Sequence, residues 1–132
     1  MSSANLELVR SIYAAWNEAD WGLEHFHPQV EWELSGLDQT GRVTGRDGLL
    51  DYWRHYWGAW RPGSRWEVLE LTCLGESQVL AWARVHAVGR SSGVTVDAPL
   101  AQLWTVRDGL IVLLRNFQDR ATAIEAAALP EE

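Results

Sequence analysis

The spacing of apolar residues changes once along this chain of 132 residues, and that change most constrains its fold. Before the break at residues 61–64, apolar side chains recur mostly every three or four positions, as on one face of a helix. From Trp66 onward they alternate with other residues, as along a β-strand. A largely helical half followed by a strand-rich half predicts an α+β fold in which a curved sheet wraps around helices.

The elements follow from these spacings and from turn residues. The first half predicts a helix over 5–19, a short helix over 21–27 ended by Pro28, a strand over 30–35, a loop over 36–45 and a long helix from about Arg46. The second half predicts strands over 66–74, 78–88, 94–106 and 110–118, then a short helix over 122–129. Because the turns between the strands are short, we expect an antiparallel meander.

Length and composition fit one domain, 1–132, and exclude several classes of protein. The formal net charge of −7, with scattered basic residues, argues against nucleic acid as a partner. The single Cys73 excludes an internal disulfide and a cysteine-based zinc site. No apolar run approaches membrane-spanning length and the N-terminus reads as a helix, so we expect a cytoplasmic location and no membrane partner.

Nine tryptophans give this chain far more aromatic area than a small core needs. Because each indole buries a large area and its N–H needs a partner, such a set builds either a dense core or the walls of an apolar pocket. We assign Trp16 to the core and expect Trp21 and Trp66 to be partly exposed or at an interface. The predicted ligand-binding residues are Tyr13, Trp32, Trp53, Trp57, Trp82, Gln102 and Trp104.

Several segments, taken in order, resemble one known family. These segments are VRSIYAAWNEAD at 9–20, FHPQVEW at 26–32, GRDGL at 45–49, LWTVRDGLI at 103–111 and NFQD at 116–119. The chain is similar to SnoaL-like domains of the nuclear transport factor 2-like superfamily. The resemblance implies a cone-shaped α+β barrel, with a pocket between the concave sheet face and the helices and a homodimer formed through the other face. It names no reaction, because the superfamily includes cyclases, isomerases, epoxide hydrolases and association domains.

The strand over 79–88 carries the candidate chemistry. One of its faces holds Trp82, Arg84 and His86, and the other holds small apolar residues. The polar face either meets solvent or lines a cavity. Similarity to limonene-type epoxide hydrolases favours the cavity, since their Arg-x-Asp resembles Arg84-Val85-His86 and their second catalytic aspartate matches Asn116.

The family's mechanisms do not transfer intact. Asn116 cannot act as a general base, so epoxide hydrolysis of that kind is not expected. The acidic and tyrosine positions of ketosteroid isomerases match Leu34, Gln102 and Ile12, which disfavours that reaction. His86 then remains the candidate acid or base, assisted by Arg84 and Asn116. The alternative is that His86 is a wall residue and that Gln102 and Asn116 bond each other.

Other polar residues suggest structural roles. We expect Asp97 to cap a turn, Asp119 to cap the last helix, and Glu31 and Glu33 to lie opposite Trp32 in solvent or at a dimer rim. No spacing supports a metal site, and we expect no cofactor. The main hypothesis is a cofactor-independent acid–base enzyme of the isomerase, cyclase or hydrolase type, acting on a small apolar or aromatic molecule. The alternative is a non-catalytic ligand-binding or association domain.

Overall fold

The computed structural model describes residues 2–18, 20–34, 41–57, 65–89 and 93–127. Within this part the helices are α1 (Ser2–Asn17), α2 (Gly45–Trp57) and α3 (Arg120–Ala127), with a short 3-10 helix at Leu23–His25. The strands are β1 (Phe26–Leu34), β2 (Gly41–Thr44), β3 (Arg65–Leu74), β4 (Gln78–Val88), β5 (Thr95–Arg107) and β6 (Leu110–Phe117). The predicted α+β class is confirmed.

All six strands form one sheet in the order β2-β1-β6-β5-β4-β3. The pairs β3–β4, β4–β5 and β5–β6 form the predicted antiparallel meander. The pair β1–β6 is parallel, so the sheet as a whole is mixed. The sheet is also unclosed, because β2 and β3 each have one strand neighbour.

Two predicted boundaries in the first half are wrong. The short helix expected over 21–27 is only the 3-10 helix Leu23–His25, and β1 already begins at Phe26. Pro28 therefore lies inside a strand, where the pairing of β1 with β6 is irregular between Phe26 and Glu31 and a missing N–H is tolerated. The second error is β2, which lies in the region predicted as a loop; residues 35–40 lie outside the described residues.

Helix α1 is fixed at its end by one side chain. Asn17 donates from Nδ2 to the Trp66 carbonyl at 2.9 Å and accepts at Oδ1 from the Trp66 N–H at 2.7 Å. The amide thereby pairs both backbone groups of a residue on the edge strand β3. The chain then reverses through Gly22, whose φ of 68° favours glycine.

The sheet has an inner face, covered by α1 and α2, and an outer face, on which α3 packs. Val9, Ile12 and Tyr13 of α1 and Leu49 and Trp53 of α2 belong to the main core, together with the inner face. The outer face forms a smaller cluster around α3, made of Leu80, Ala101, Leu103 and Ala123. The core therefore lies between the sheet and the first two helices.

No helix in the described part of the chain is long and apolar enough to cross a membrane. The predicted cytoplasmic location stays a prediction.

Candidate functional site

Four buried side chains on the inner side of the fold form one hydrogen-bonded chain, here called the interior polar network: Tyr13, Gln102, Trp104 and Asn116. The Tyr13 hydroxyl accepts from Trp104 Nε1 at 3.1 Å and donates to Gln102 Oε1 at 2.5 Å. Gln102 Nε2 donates to Asn116 Oδ1 at 2.9 Å, so the alternative in which these two amides bond each other is confirmed. The residues are 0–5% exposed, which makes each of these bonds costly to lose.

Strand register explains why the network forms. Gln102 of β5 lies opposite Ala81 of β4 on one side and opposite Asn116 of β6 on the other. Directly opposed residues share a face, so both amides point toward α1. Tyr13 reaches them from α1, on the stripe that also holds Val9.

Burial raises the pKa of Tyr13 strongly, and the hydrogen bond from Trp104 offsets only part of that rise. The phenol therefore keeps its proton throughout the physiological range. The two amides cannot exchange protons either. The interior polar network can orient a polar group, but it cannot act as a base near neutral pH.

Five indoles pack together in what we call the indole cluster, and Trp104 belongs to both groups: the cluster is Trp16, Trp32, Trp53, Trp66 and Trp104. Trp16 is central, with ring centroids 5.3–6.3 Å from the other four. Trp66, at 7% exposed, is a core residue, so the expectation of partial exposure is wrong. Trp21 is half-buried as expected and stacks on Trp53.

The indole N–H groups of this cluster differ in their partners. Trp16 Nε1 donates to the Trp21 carbonyl at 3.0 Å, and Trp104 Nε1 donates to Tyr13. By contrast, Nε1 of Trp32 and of Trp53 are buried with no hydrogen-bond partner in the described part of the chain. Buried donors are paired in most proteins, so these two are exceptions that need a physical reason.

The structure places Arg84 and His86 on the outer face. The parity of β4 that holds Ala81, Ala83 and Val85 is the buried one, and it belongs to the main core. The expectation that Arg84, His86, Gln102 and Asn116 share one cavity is therefore wrong. The physical reason is size, because small side chains on the inner face leave room for the indoles of other elements.

Arg84 and His86 belong instead to what we call the outer-face charge cluster, together with Glu67 and Asp97. Arg84 Nε donates to Asp97, and His86 Nε2 lies 2.9 Å from Glu67 Oε1. His86 Nδ1 lies 3.6 Å from Asp97 Oδ1. Asp97 thus pairs with two side chains of the adjacent strand. The sequence had instead suggested that Asp97 caps a turn.

The remaining predicted site residues are placed as follows. Trp82 lies on the outer face opposite Ala101, so its expected inward position is wrong. Trp57 is the last residue of α2, and its side chain lies outside the described part. Tyr13, Trp32, Trp53 and Trp104 lie on the inner side, as expected, within the main core, and their ligand-binding role stays a prediction.

Two structural expectations are confirmed. Glu31 and Glu33 lie opposite Trp32 on the outer side and pair with Arg42, and Glu33 also accepts from Arg115 Nε at 2.8 Å. Asp119 Oδ1 accepts from the Thr122 N–H at 2.8 Å at the start of α3. These acidic residues therefore organise the outer surface and a helix terminus.

Comparison with known proteins now identifies the family. Residues 9–114, well over half of the chain, match the family model described as the SnoaL-like domain. The chain belongs to the SnoaL-like family. No curated protein matches it in sequence.

Solved structures agree with this SnoaL-like assignment. A candidate polyketide cyclase of Xanthomonas campestris pv. campestris is 23% identical, with a TM-score of 0.79 over 96% of this chain and 98% of that chain. A nuclear transport factor 2-like protein of Burkholderia thailandensis E264 is 23% identical, with a TM-score of 0.75 over 95% and 97%. TerC, crystallised with polyporic acid, is 22% identical, with a TM-score of 0.75 over 96% and 99%. At these identities the likeness shows the fold.

This SnoaL-like chain also has features that the sequence did not suggest. No sequence pattern connects Glu67 with His86. The register of β3 with β4 places Glu67 opposite Arg84, two residues from His86 on the same strand. The two hydrogen bonds between the Asn17 amide and the Trp66 backbone join positions far apart in the chain. The unpaired N–H groups of Trp32 and Trp53 depend on packing, which alternation alone does not predict.

The described interior holds neutral groups. Its buried polar side chains, apart from the tyrosine and indoles, are Gln102, Thr105 and Asn116, with no buried charged residue among the described positions. No group of three or more His, Cys, Asp or Glu in the described ranges is arranged to hold a metal ion. Chemically, the described interior of this SnoaL-like chain offers aromatic rings and neutral hydrogen-bonding groups.

Proposed function

We propose that this chain binds a small, largely apolar or aromatic molecule between the inner sheet face and helices α1 and α2. The observation that carries the proposal is the indole cluster beside a neutral interior polar network. Aromatic walls with a few placed hydrogen-bonding groups are typical of small-molecule sites. TerC, which shares the fold, was crystallised with polyporic acid, which supports a ligand-binding use of this architecture.

An acid–base reaction on such a ligand has less support. His86 lies across the sheet from the interior polar network, and Tyr13 holds its proton because burial raises its pKa. Proton transfer needs a group within hydrogen-bond reach of the reacting atom. The proposed function is therefore binding, and any catalysis would have to rely on orientation and neutral hydrogen bonds.

A second candidate, an association domain with an interior filled by its own side chains, is favoured by one observation. The rings of the indole cluster contact one another directly, with centroids as close as 5.3 Å. Dense aromatic packing of this kind also stabilises a core without any ligand. The two candidates differ in whether neutral aromatic molecules bind.

The test is an NMR titration with indole and with naphthalene as probes, followed through the indole N–H signals of the nine tryptophans. We expect saturable shifts of the Trp32, Trp53 and Trp104 signals. The signal of Trp82, which lies on the outer face, is the internal control and should stay in place. If neither probe shifts any interior signal up to its solubility limit, the binding proposal fails and the association domain is favoured.

A further inference from the structure

The buried apolar residues of the outer sheet face lie beneath α3. Leu80 of β4 and Ala101 and Leu103 of β5 are 0–3% exposed and cluster with Ala123 of α3. We call these three strand residues the α3 patch. Leu80 lies directly opposite Leu103, so the patch is continuous across the two strands. Helix α3 therefore keeps one apolar surface of the sheet away from water.

Helix α3 is held to the sheet by a small buried surface. It has eight residues, and Ala123 is the buried one among them. Arg120 pairs with Glu70 of β3, but both side chains are nearly half exposed, and such ion pairs contribute little. A helix this short is not stable without its packing. We therefore expect α3 to leave the sheet at a lower free energy than the whole chain unfolds.

Away from α3, the outer face of β3, β4 and β5 carries the outer-face charge cluster. Its side chains, Glu67, Arg84, His86 and Asp97, pair with one another. The centre of an interface between identical chains is apolar and depleted of charge. Two copies that pair through the outer face would therefore draw their apolar contact from the α3 patch and from α3.

The connection between β6 and α3 is short and crosses the sheet. β6 ends at Phe117 and α3 begins at Arg120, so two residues, both exposed, join them. The strand registers place Phe117, Ala101, Trp82 and Glu70 in one row, which spans about 14 Å. Because Arg120 pairs with Glu70, the short connection and the Arg120 side chain together cover this distance. A connection with little slack favours exchange of the segment that follows it.

We propose that two copies of this chain exchange α3, so that α3 of each copy covers the α3 patch of the other. The structure itself shows which segment fits the patch. Reciprocal exchange about a two-fold axis keeps the same contacts, with Ala123 on the patch and Arg120 paired to Glu70 of the partner subunit. Exchange also brings an apolar contact into an interface that otherwise joins charged surfaces.

The test uses wild-type chains, half of them labelled with ¹³C and half unlabelled, refolded together from urea. Isotope-filtered nuclear Overhauser effects then report only the contacts between different chains. We expect such effects between the methyl group of Ala123 and the methyl groups of Leu80 and Leu103. The rings of Tyr13 and Trp104, with centroids 5.5 Å apart in the interior, are the control and should show contacts within one chain alone.

A matched pair of variants tests whether the α3 patch holds the two copies together. A123D puts a charge on the patch, and A121D puts the same charge at an exposed position of the same helix. We expect A123D to halve the mass measured by light scattering, from two chains to one, while A121D keeps the wild-type mass. Circular dichroism establishes that both variants keep the fold.

The other outcomes overturn the exchange. If the wild type has the mass of one chain, or if Ala123 contacts Leu80 only within its own chain, α3 covers its own patch and the proposal is wrong. If A123D keeps the mass of two chains, α3 does not hold the copies together. None of these measurements involves a ligand, so the binding proposed for the interior is tested independently.

Discussion

Tyr13 is the residue on which the interior polar network depends. Its hydroxyl is at once the acceptor for Trp104 and the donor to Gln102, so removing it leaves two buried groups without their partner. This is a property of one atom that helical spacing cannot reveal. The spacing placed Tyr13 on the buried stripe of α1 and left its hydroxyl unexplained.

The substitution Y13F should destabilise the fold by about 2–4 kcal/mol, because each unpaired buried group costs about 1–3 kcal/mol. Urea unfolding measures the change. S11A, which removes an exposed hydroxyl bonded to the Glu7 carbonyl of the same helix, should change stability by less than about 0.5 kcal/mol. Equal losses of unfolding free energy in Y13F and S11A would show that the interior polar network adds no more stability than one exposed hydrogen bond.

The raised pKa of Tyr13 also gives a prediction of how the free energy of unfolding changes at alkaline pH. Because burial raises its pKa above the unfolded value of about 10, the unfolded chain releases this proton before the folded chain does. Its contribution is therefore complete below about pH 10 and declines as pH rises beyond it. The free energy of unfolding, followed from pH 8 to 11, should fall less steeply in Y13F. Parallel curves would contradict the assignment.

The elements show what the sequence predicts well and what it does not. The positions of β3 to β6 follow from local alternation and turn residues, and the structure has them within one or two residues. The parallel pairing of β1 with β6 joins segments about 80 residues apart, so no local signal exists for it. The strand β2 is only four residues long, too short for its alternation to be recognised.

The hydrogen bonds at the junction of α1 with β3 give a prediction about how these two elements are held together. N17A removes both hydrogen bonds to the Trp66 backbone and should cost about 1–3 kcal/mol in unfolding free energy. N5A, on the same helix, removes one exposed bond to the Glu76 carbonyl and should cost clearly less. Thermal or urea unfolding of both variants provides the comparison, and a larger loss in N5A would contradict this account of the junction.

The ion pairs between side chains of β1, β2 and β6 give a second prediction at the scale of the elements. Partial burial acts to raise the pKa of Glu33, but hydrogen bonds and charge from Arg115 and Arg42 outweigh it and lower that pKa. Because the folded pKa is lowered, Glu33 stabilises the fold above its unfolded value of about 4.3, and this contribution disappears as pH falls through the folded value.

E33Q should therefore be less stable than wild type at pH 7, by about 1 kcal/mol or less, and nearly equal to it at about pH 2. E7Q, which removes one carboxylate of an exposed pair with Arg10, is the matched control and should show a smaller difference. Urea unfolding at both pH values checks the result. A difference between E33Q and wild type that persists unchanged in acid would contradict the assigned charge pairing.

At the scale of the whole molecule, the sheet separates two sets of polar residues that the sequence suggested were together. Alternation correctly divided β4 into two faces, with Arg84 and His86 on one and small residues on the other. It could not tell which face the helices cover, because a polar strand face beside a tryptophan fits either a pocket or an outer surface. The family resemblance favoured the helix-covered face for Arg84 and His86, which is wrong. A likeness in one segment does not determine the direction of side chains in a different chain.

The outer face of the sheet also concerns the oligomeric state of the protein. A homodimer formed through this face stays our proposal. Scattering-based mass measurement should give twice the 14.9 kDa of one chain. P99E, at an exposed position of β5 opposite Arg84, should give the single-chain mass with an unchanged circular dichroism spectrum. A single-chain mass for the wild type at micromolar concentration would contradict the proposal.

We propose that ligands enter the interior beside the indole cluster and not the outer-face charge cluster around His86. Intermolecular nuclear Overhauser effects between bound naphthalene and the protein test this most directly. We expect contacts from naphthalene to the ring protons of Trp32 and Trp53, and none to the imidazole of His86. Contacts to His86 in place of the two indoles would contradict it.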